Sequence, residues 1–184
     1  MMRRVNENRK RGSVAFLDIE TTGLNPNLSK ITVIGIGKSN GEVTQLIGAG
    51  VTKGNLQKAL QGVKKIVTYN GEKFDFPFIE KYVGINLKRR HESEDLMYKC
   101  WEHNLYGGFK EVEEKLGISR SSNVNGEKAV QLWNQYKRYG NKKALKDLIE
   151  YNKEGVLNLA KLRKKLGHKK HRSKSGKHHI MKKC

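Results

Sequence analysis

The chain has 184 residues, of which 36% are hydrophobic, and its formal net charge is +20. This length suits one α/β domain around a single core and is short for two domains. No apolar run approaches the roughly 20 residues of a membrane span, and residues 1–12 lack the apolar stretch of a signal peptide. The only two cysteines, Cys100 and Cys184, are no disulfide framework. We therefore expect a soluble, cytoplasmic protein with no membrane partner.

Most of the positive charge lies at the two ends of the sequence. Residues 161–184 contain eleven Lys or Arg and no acid, and residues 1–12 contain five and one. We expect a basic arm over 1–12, a folded domain over 13–166 and a disordered His/Lys-rich tail over 167–184. Such arms bind polyanions by displacing counterions, so nucleic acid is the expected partner. A solvated tail that only keeps the protein soluble is the alternative.

The first half of the domain is predicted to form strands. Short apolar runs predict strands over 14–19 and 30–38, and Asn40-Gly41 is typical of a type I′ turn leading into a third strand over 42–47. Apolar residues at helical spacing predict a helix over 53–63, and a further strand follows over 65–69. A helix is expected to begin near Pro77.

The second half is predicted to be almost wholly helical from Gly107 onward. The last helix, over about 142–166, places apolar residues and Asn152 on one face at helical intervals. Strands first and helices last indicate an α/β fold in which helices pack on a mixed sheet.

Two acids follow the first strand run at a spacing that puts them on one face. Asp18 and Glu20 are two residues apart, so their side chains leave a strand in the same direction. If that strand is buried, two carboxylates there need a cation. The alternative is that the strand ends at Leu17 and both acids are solvated.

A third acid, Asp75, stands between Phe74 and Phe76 after another apolar strand and the turn-forming Asn70-Gly71. An acid in such surroundings is poorly placed to be an ordinary surface residue. Three acids converging from two strand ends supply the oxygen ligands that Mg²⁺ or Mn²⁺ prefers.

These motifs resemble those of the DEDD superfamily of 3′→5′ exonucleases, in its YprB-like ribonuclease H-like branch. The resemblance covers about residues 13–166. It is carried by FLDIETTGL at 16–24, YNGEKFDFPFIE at 69–80, SEDLMY at 93–98, GGFKEVEEKLGI at 107–118, NGEKAVQLW at 125–133 and LIEYNKEGVLNL at 148–159.

The resemblance implies a ribonuclease H-like fold with a mixed five-stranded sheet, and hydrolysis of terminal phosphodiesters with two divalent ions, Mg²⁺ or Mn²⁺. Asp18, Glu20 and Asp75 match the first three metal-binding carboxylates. Tyr151 matches the tyrosine that orients the attacking water where the third motif reads Y-x-x-x-D. The expected substrate is the 3′ end of single-stranded DNA or RNA.

The third motif departs from that pattern, because Gly155 stands where the fourth carboxylate is expected. Glu154 is one helical step, about 100°, away from the required direction. Asn152 lies near the same face, but a neutral amide gives Mg²⁺ much less than a carboxylate does. We therefore expect weakened metal binding at this position.

Further residues within the motifs are expected to contact nucleic acid. They are Thr21 in the first motif, Asn70 and Phe74 in the second, and Lys110 beside Gly107-Gly108. For Asp95 an N-cap role at the head of a helix is favoured over metal ligation.

Two classes of function follow from this sequence. The first is a 3′→5′ exonuclease impaired by Gly155. The second is an exonuclease-derived module that binds nucleic acid without turnover. A ribonucleoprotein component that only displays its basic arms is a third interpretation.

Overall fold

The computed structural model describes the backbone of residues 13–175 and the side chains of residues 13–167. The predicted arm over 1–12 and the part of the predicted tail over 176–184 lie outside the described residues. The last helix continues to Ser175, past the predicted end of the domain at residue 166. Within the described part of the chain, no helix is both long enough and apolar enough to cross a membrane.

Five strands form one mixed sheet with the spatial order β3-β2-β1-β4-β5. They are β1 (Ser13–Thr21), β2 (Ile31–Lys38), β3 (Val43–Ile47), β4 (Val63–Thr68) and β5 (Glu92–Asp95). Strands β1, β2 and β3 pair antiparallel as a meander, whereas β4 and β5 run parallel to β1. The expected mixed five-stranded sheet is confirmed.

Six α-helices of the described residues pack around the sheet. They are α1 (Lys53–Ala59), α2 (Asp75–Val83), α3 (Leu96–Trp101), α4 (Phe109–Lys115), α5 (Gly126–Tyr139) and α6 (Lys142–Ser175). Side chains of α1 and α2 pack on one face of the sheet, in a core with Leu17 and Ile19. Side chains of α3, α4 and α6 pack on the other face, in a core with Phe16. Successive side chains of β1 point to opposite faces of the sheet, so Asp18 and Glu20 lie on the same face as Phe16.

Two local predictions differ from the structure. Helix α1 ends at Ala59 and the chain turns at Gly62, whose φ is +75°, so Val63 begins β4 instead of ending the helix. The turn between β2 and β3 is not type I′, because Gly41 has a positive φ and Asn40 does not. The Lys38 and Glu42 backbone groups close a three-residue loop instead.

Side chains of helix α6 pack directly on two glycines of β2. A Cβ on Gly35 would lie 2.3 Å from Asn152 Oδ1, and a Cβ on Gly37 would lie 2.5 Å from Val156. A larger residue at either position would therefore force Asn152 or Val156 to move. The glycines thus leave the space that Asn152 occupies beside the sheet.

Candidate active site

Asp18, Glu20 and Asp75 are brought together by β1 and the start of α2. Asp75 is the first residue of α2, and its Oδ1 accepts a hydrogen bond of 3.2 Å from the Ile19 backbone nitrogen. Glu20 is 7% exposed and Asp75 is 4% exposed, whereas Asp18 is partly buried. The alternative in which Asp18 and Glu20 are solvated beyond the end of the strand is wrong, because β1 continues through Thr21.

The three carboxyl groups share one electrostatic environment. Burial raises the pKa of Asp18 to about 7, with the charge of Arg120 acting against the rise and that of Glu113 adding to it. Burial, followed by the negative charges of Asp18 and Asp75, raises the pKa of Glu20 well above its usual range. Burial and the charge of Asp18 do the same to the pKa of Asp75. Buried acids that repel each other are stabilised by a bound cation.

Asp95, the last residue of β5, holds the turn that leads into α2. The Asp95 carboxylate accepts hydrogen bonds from the backbone nitrogens of Asn70 at 2.8 Å and Glu72 at 3.2 Å, and it caps α3 through Met97 N at 3.0 Å. The expected N-cap role of Asp95 is confirmed. Asp95 also fixes the turn in which Asn70 adopts a φ of +60°.

Helix α6 brings the third motif against Asp18. Asn152 is fully buried, and its Nδ2 lies 3.2 Å from both the backbone oxygen and Oδ2 of Asp18. Its Oδ1 accepts a hydrogen bond of 2.9 Å from Gln45 Nε2. The amide oxygen of Asn152 is therefore bonded to Gln45 of β3. The amide nitrogen, which is a hydrogen-bond donor, is the group that faces Asp18.

Position 155 lies directly beside Asp18. A Cβ on Gly155 would lie 2.8 Å from Asp18 Oδ2 and 4.0 Å from Arg120 Nη2. The preceding Glu154 is directed elsewhere, as its helical spacing predicts, and accepts hydrogen bonds from the backbone nitrogens of Ser121 and Ser122. Neither residue places a carboxylate at the expected fourth position.

A cleft of about 710 Å³ opens over the carboxylates. All four residues predicted to contact nucleic acid line it, namely Thr21, Asn70, Phe74 and Lys110. Tyr69 and Phe109, also in its wall, stack with their ring centroids 5.0 Å apart. Tyr151 lines the cleft as well, and burial followed by the charges of Glu20 and Asp18 raises the pKa of its hydroxyl. That hydroxyl is a neutral hydrogen-bond donor near neutral pH.

Sequence reasoning missed Arg120, which lines the same cleft in the loop between α4 and α5. Its guanidinium carbon lies 5.3 Å from the ring centroids of both Phe109 and Tyr151. Its Nε donates a hydrogen bond to Glu113, which is 1% exposed. A single arginine followed by two serines in a loop has no periodicity that separates it from the many surface cations of this chain.

Three carboxylates supply the oxygen ligands that a hard divalent cation prefers. As they are arranged in this structure, however, they do not form a complete ligand set for one ion. Among the described residues, no three His, Cys, Asp or Glu side chains are placed so that they could hold a metal ion as they stand. Asn152 Nδ2 and the Ile19 backbone nitrogen donate hydrogen bonds to Asp18 Oδ2 and Asp75 Oδ1. The side chains would therefore have to rearrange to hold an ion.

The chain matches a family described as the RNase_H superfamily over residues 15–167. None of the curated protein sequences compared with the chain matches it. Among solved structures it is similar to Brucella melitensis NrnC with bound Mg²⁺, at a TM-score of 0.63 and 21% identity, covering 92% of this chain and 79% of that one. NrnC bound to pGG gives 0.59 and 19%, covering 91% and 79%.

A similar fold occurs in the family B DNA polymerase of the archaeon Pyrobaculum calidifontis. The TM-score is 0.60 and the identity is 17%, covering 82% of this chain and 24% of the polymerase. The chain thus spans about a quarter of that enzyme. At these identities the similarities establish the fold, and the expected ribonuclease H-like architecture is confirmed.

Proposed function

The chain belongs to the RNase_H superfamily, and from that premise we propose that it is a metal-dependent nuclease that removes nucleotides from the 3′ end of single-stranded nucleic acid. The observation that carries the proposal is the burial of three mutually repelling carboxylates in the wall of a cleft. Folding such a cluster costs stability, and a bound cation offsets that cost.

Asp18, Glu20 and Asp75 are the residues that would hold Mg²⁺ or Mn²⁺. When bound, the ion would supply Lewis-acid stabilisation of charge on a phosphate and a more acidic water. The family pattern has two ions, and Gly155 removes one carboxylate from their ligand set. We propose that one of the two positions is weakened and that turnover is slow for this reason.

Tyr151 would orient water by donating a hydrogen bond from its neutral hydroxyl. The Tyr151 ring packs against the Arg120 guanidinium, and burial together with the negative charges of Glu20 and Asp18 raises the pKa of its hydroxyl. A fixed donor beside the carboxylates positions a water without an ordering cost at the moment of reaction.

The walls of the cleft suit an unpaired strand. Phe74 and the stacked pair of Tyr69 and Phe109 offer ring faces on which bases stack independently of sequence. Lys110 supplies a cation for a phosphate, and Thr21 and Asn70 supply polar groups beside the carboxylates. In support, the similar NrnC has been solved with pGG bound.

Two observations favour a second candidate function, a nucleic-acid-binding module without turnover. Gly155 lacks the carboxylate, and Asn152 turns a donor instead of an acceptor toward Asp18. Both features lower the affinity for a second ion while leaving the cleft intact.

A strand-degradation assay separates the two functions. A 5′-labelled single strand incubated with the protein and Mn²⁺ is expected to give a ladder that shortens one nucleotide at a time from the 3′ end, and EDTA is expected to stop it. Binding of the same strand without any shortening over long incubation would favour the module. Cleavage at internal positions would contradict the proposed action on the end.

A further inference from the structure

Arg120 is a largely buried guanidinium whose hydrogen-bonding capacity is mostly unused. Its side chain is 9% exposed, and Nε is taken by Glu113. Among the described residues, none accepts a hydrogen bond from Nη1 or Nη2. A guanidinium carries five N–H donors, of which Nε supplies one. The four N–H donors on Nη1 and Nη2 therefore have no acceptor among the described residues, and the residue lines the cleft.

One of the unused groups, Nη2, lies next to position 155. Arg120 Nη2 would be 4.0 Å from a Cβ on Gly155, and the same Cβ would be 2.8 Å from Asp18 Oδ2. The guanidinium and the Asp18 carboxylate are therefore neighbours, and both residues line the cleft. A phosphate held in the cleft beside Asp18 comes within reach of a guanidinium edge.

The fold holds Arg120 from several sides. Glu113, its ion-pair partner, accepts a hydrogen bond of 2.8 Å from Asn158 Nδ2, and the same amide nitrogen lies 3.3 Å from the backbone oxygen of Ser119. Glu154 holds the loop on the other side of Arg120, accepting from Ser121 and Ser122.

The guanidinium itself also contacts two rings, Phe109 and Tyr151. The side chain therefore loses little conformational freedom when it binds a ligand, which favours affinity.

We propose that Arg120 binds non-bridging oxygens of a nucleic-acid phosphate beside Asp18, through its two Nη groups. This inference rests on the proposed function, because it names the residue that receives the strand at the same site. A purely structural ion pair with Glu113 accounts for Nε and leaves Nη1 and Nη2, the second of them beside position 155, without an acceptor among the described residues. Planar guanidinium groups match phosphate oxygens in a two-point geometry that lysine cannot reproduce.

The test compares Arg120→Gln, the double variant Glu113→Gln with Arg120→Gln, and Arg138→Gln as a matched control. The double variant removes both charges of the buried pair, so it avoids the unpaired acid that Arg120→Gln leaves. Arg138 is exposed near the end of α5 and does not line the cleft. Circular dichroism checks that each variant is folded.

The readout is the affinity for a fluorescent oligothymidylate in EDTA, so that no strand is cut, over a series of salt concentrations. Both Arg120 variants are expected to bind about tenfold more weakly and to lower the slope of log affinity against log salt by about 0.7, as for one lost phosphate contact. Arg138→Gln is expected to match the parent protein.

The outcomes separate this inference from the function on which it rests. A folded double variant that binds as tightly as the parent, with the same salt slope, overturns the role of Arg120 and leaves the proposed function standing. A parent protein that does not bind the strand in EDTA also overturns the role of Arg120, whereas the proposed function fails only if the parent leaves a 5′-labelled strand intact with Mn²⁺.

Discussion

Asp75→Asn is expected to reduce metal-dependent hydrolysis at least about a hundredfold. Asp75 links the second motif to the first, because its carboxylate accepts a hydrogen bond from Ile19 N. Asparagine keeps an oxygen that can accept the same bond. The variant removes one negative charge from the ligand set of the ion, and such ions supply several kcal/mol of transition-state stabilisation. The rate of nucleotide release with Mn²⁺ measures the effect.

The same variant is expected to be more stable than the parent protein when no metal is present. Burial and repulsion raise the pKa values of Asp18 and Asp75, so the folded protein binds protons more tightly than the unfolded chain does. The contribution of Asp18 to stability is therefore fully present below pH 3.8 and is lost as the pH rises through about 7, its folded pKa, and the contribution of Asp75 changes in the same direction. Asp75→Asn should melt higher than the parent at pH 8, by about 2–4 °C for each kcal/mol gained, and the difference should shrink toward pH 5.

Added Mn²⁺ is expected to stabilise the parent protein but not Asp75→Asn. It should raise the melting temperature of the parent at pH 8, because it binds only the folded protein, and should leave that of Asp75→Asn unchanged. Glu80→Gln on the exposed side of α2 is the matched control and should behave as the parent does. An Asp75→Asn protein that keeps both its hydrolysis and its response to Mn²⁺ would show that Asp75 is no ligand.

Gly155→Asp is expected to raise the metal-dependent release of nucleotides at least tenfold, equivalent to about 1.4 kcal/mol of barrier. The new carboxylate would stand beside Asp18 and complete the family's ligand set. Because its Cβ would lie 2.8 Å from Asp18 Oδ2, the Asp18 side chain must rotate to accept it. Arg120 Nη2 is also within reach of the new group, so binding of a strand in EDTA should become weaker while turnover in Mn²⁺ becomes faster.

Gly155→Ala is the control, because it adds the Cβ without the carboxylate. It relieves the helix-propensity cost of glycine, roughly 0.5–1 kcal/mol, and imposes the same contact on Asp18. No gain in turnover is expected from it. Equal gains from alanine and aspartate, or fast turnover of the parent with no gain from aspartate, would show that the missing carboxylate does not limit the rate.

The sheet and the first two motifs could be predicted because their signals are local. Apolar runs and turn residues mark the strands, and the two-residue spacing of Asp18 and Glu20 fixes their common face. The position of Gly155 beside Asp18 also follows from helical spacing along α6. Boundaries were less predictable, since Gly62 ends α1 early and Val63 pairs in β4.

Contacts between distant segments could not be predicted in the same way. Asn152 has an amide that could serve as donor or acceptor, and only the packing of α6 on β3 assigns its oxygen to Gln45. Arg120 lines the cleft because Glu113, Asn158 and Glu154 hold its loop, and the last two residues come from α6, more than thirty residues further along the chain. No periodicity encodes such a pairing.

The most direct test of the proposed metal site is the anomalous scattering of crystals soaked in Mn²⁺. The proposed site predicts a manganese peak in contact with oxygens of Asp18 and Asp75, together with a peak of lower occupancy or none on the side of Gly155. It also predicts no such peak in crystals of Asp75→Asn. A parent crystal at millimolar Mn²⁺ with no peak at these carboxylates would contradict the metal site, and with it the proposed nuclease.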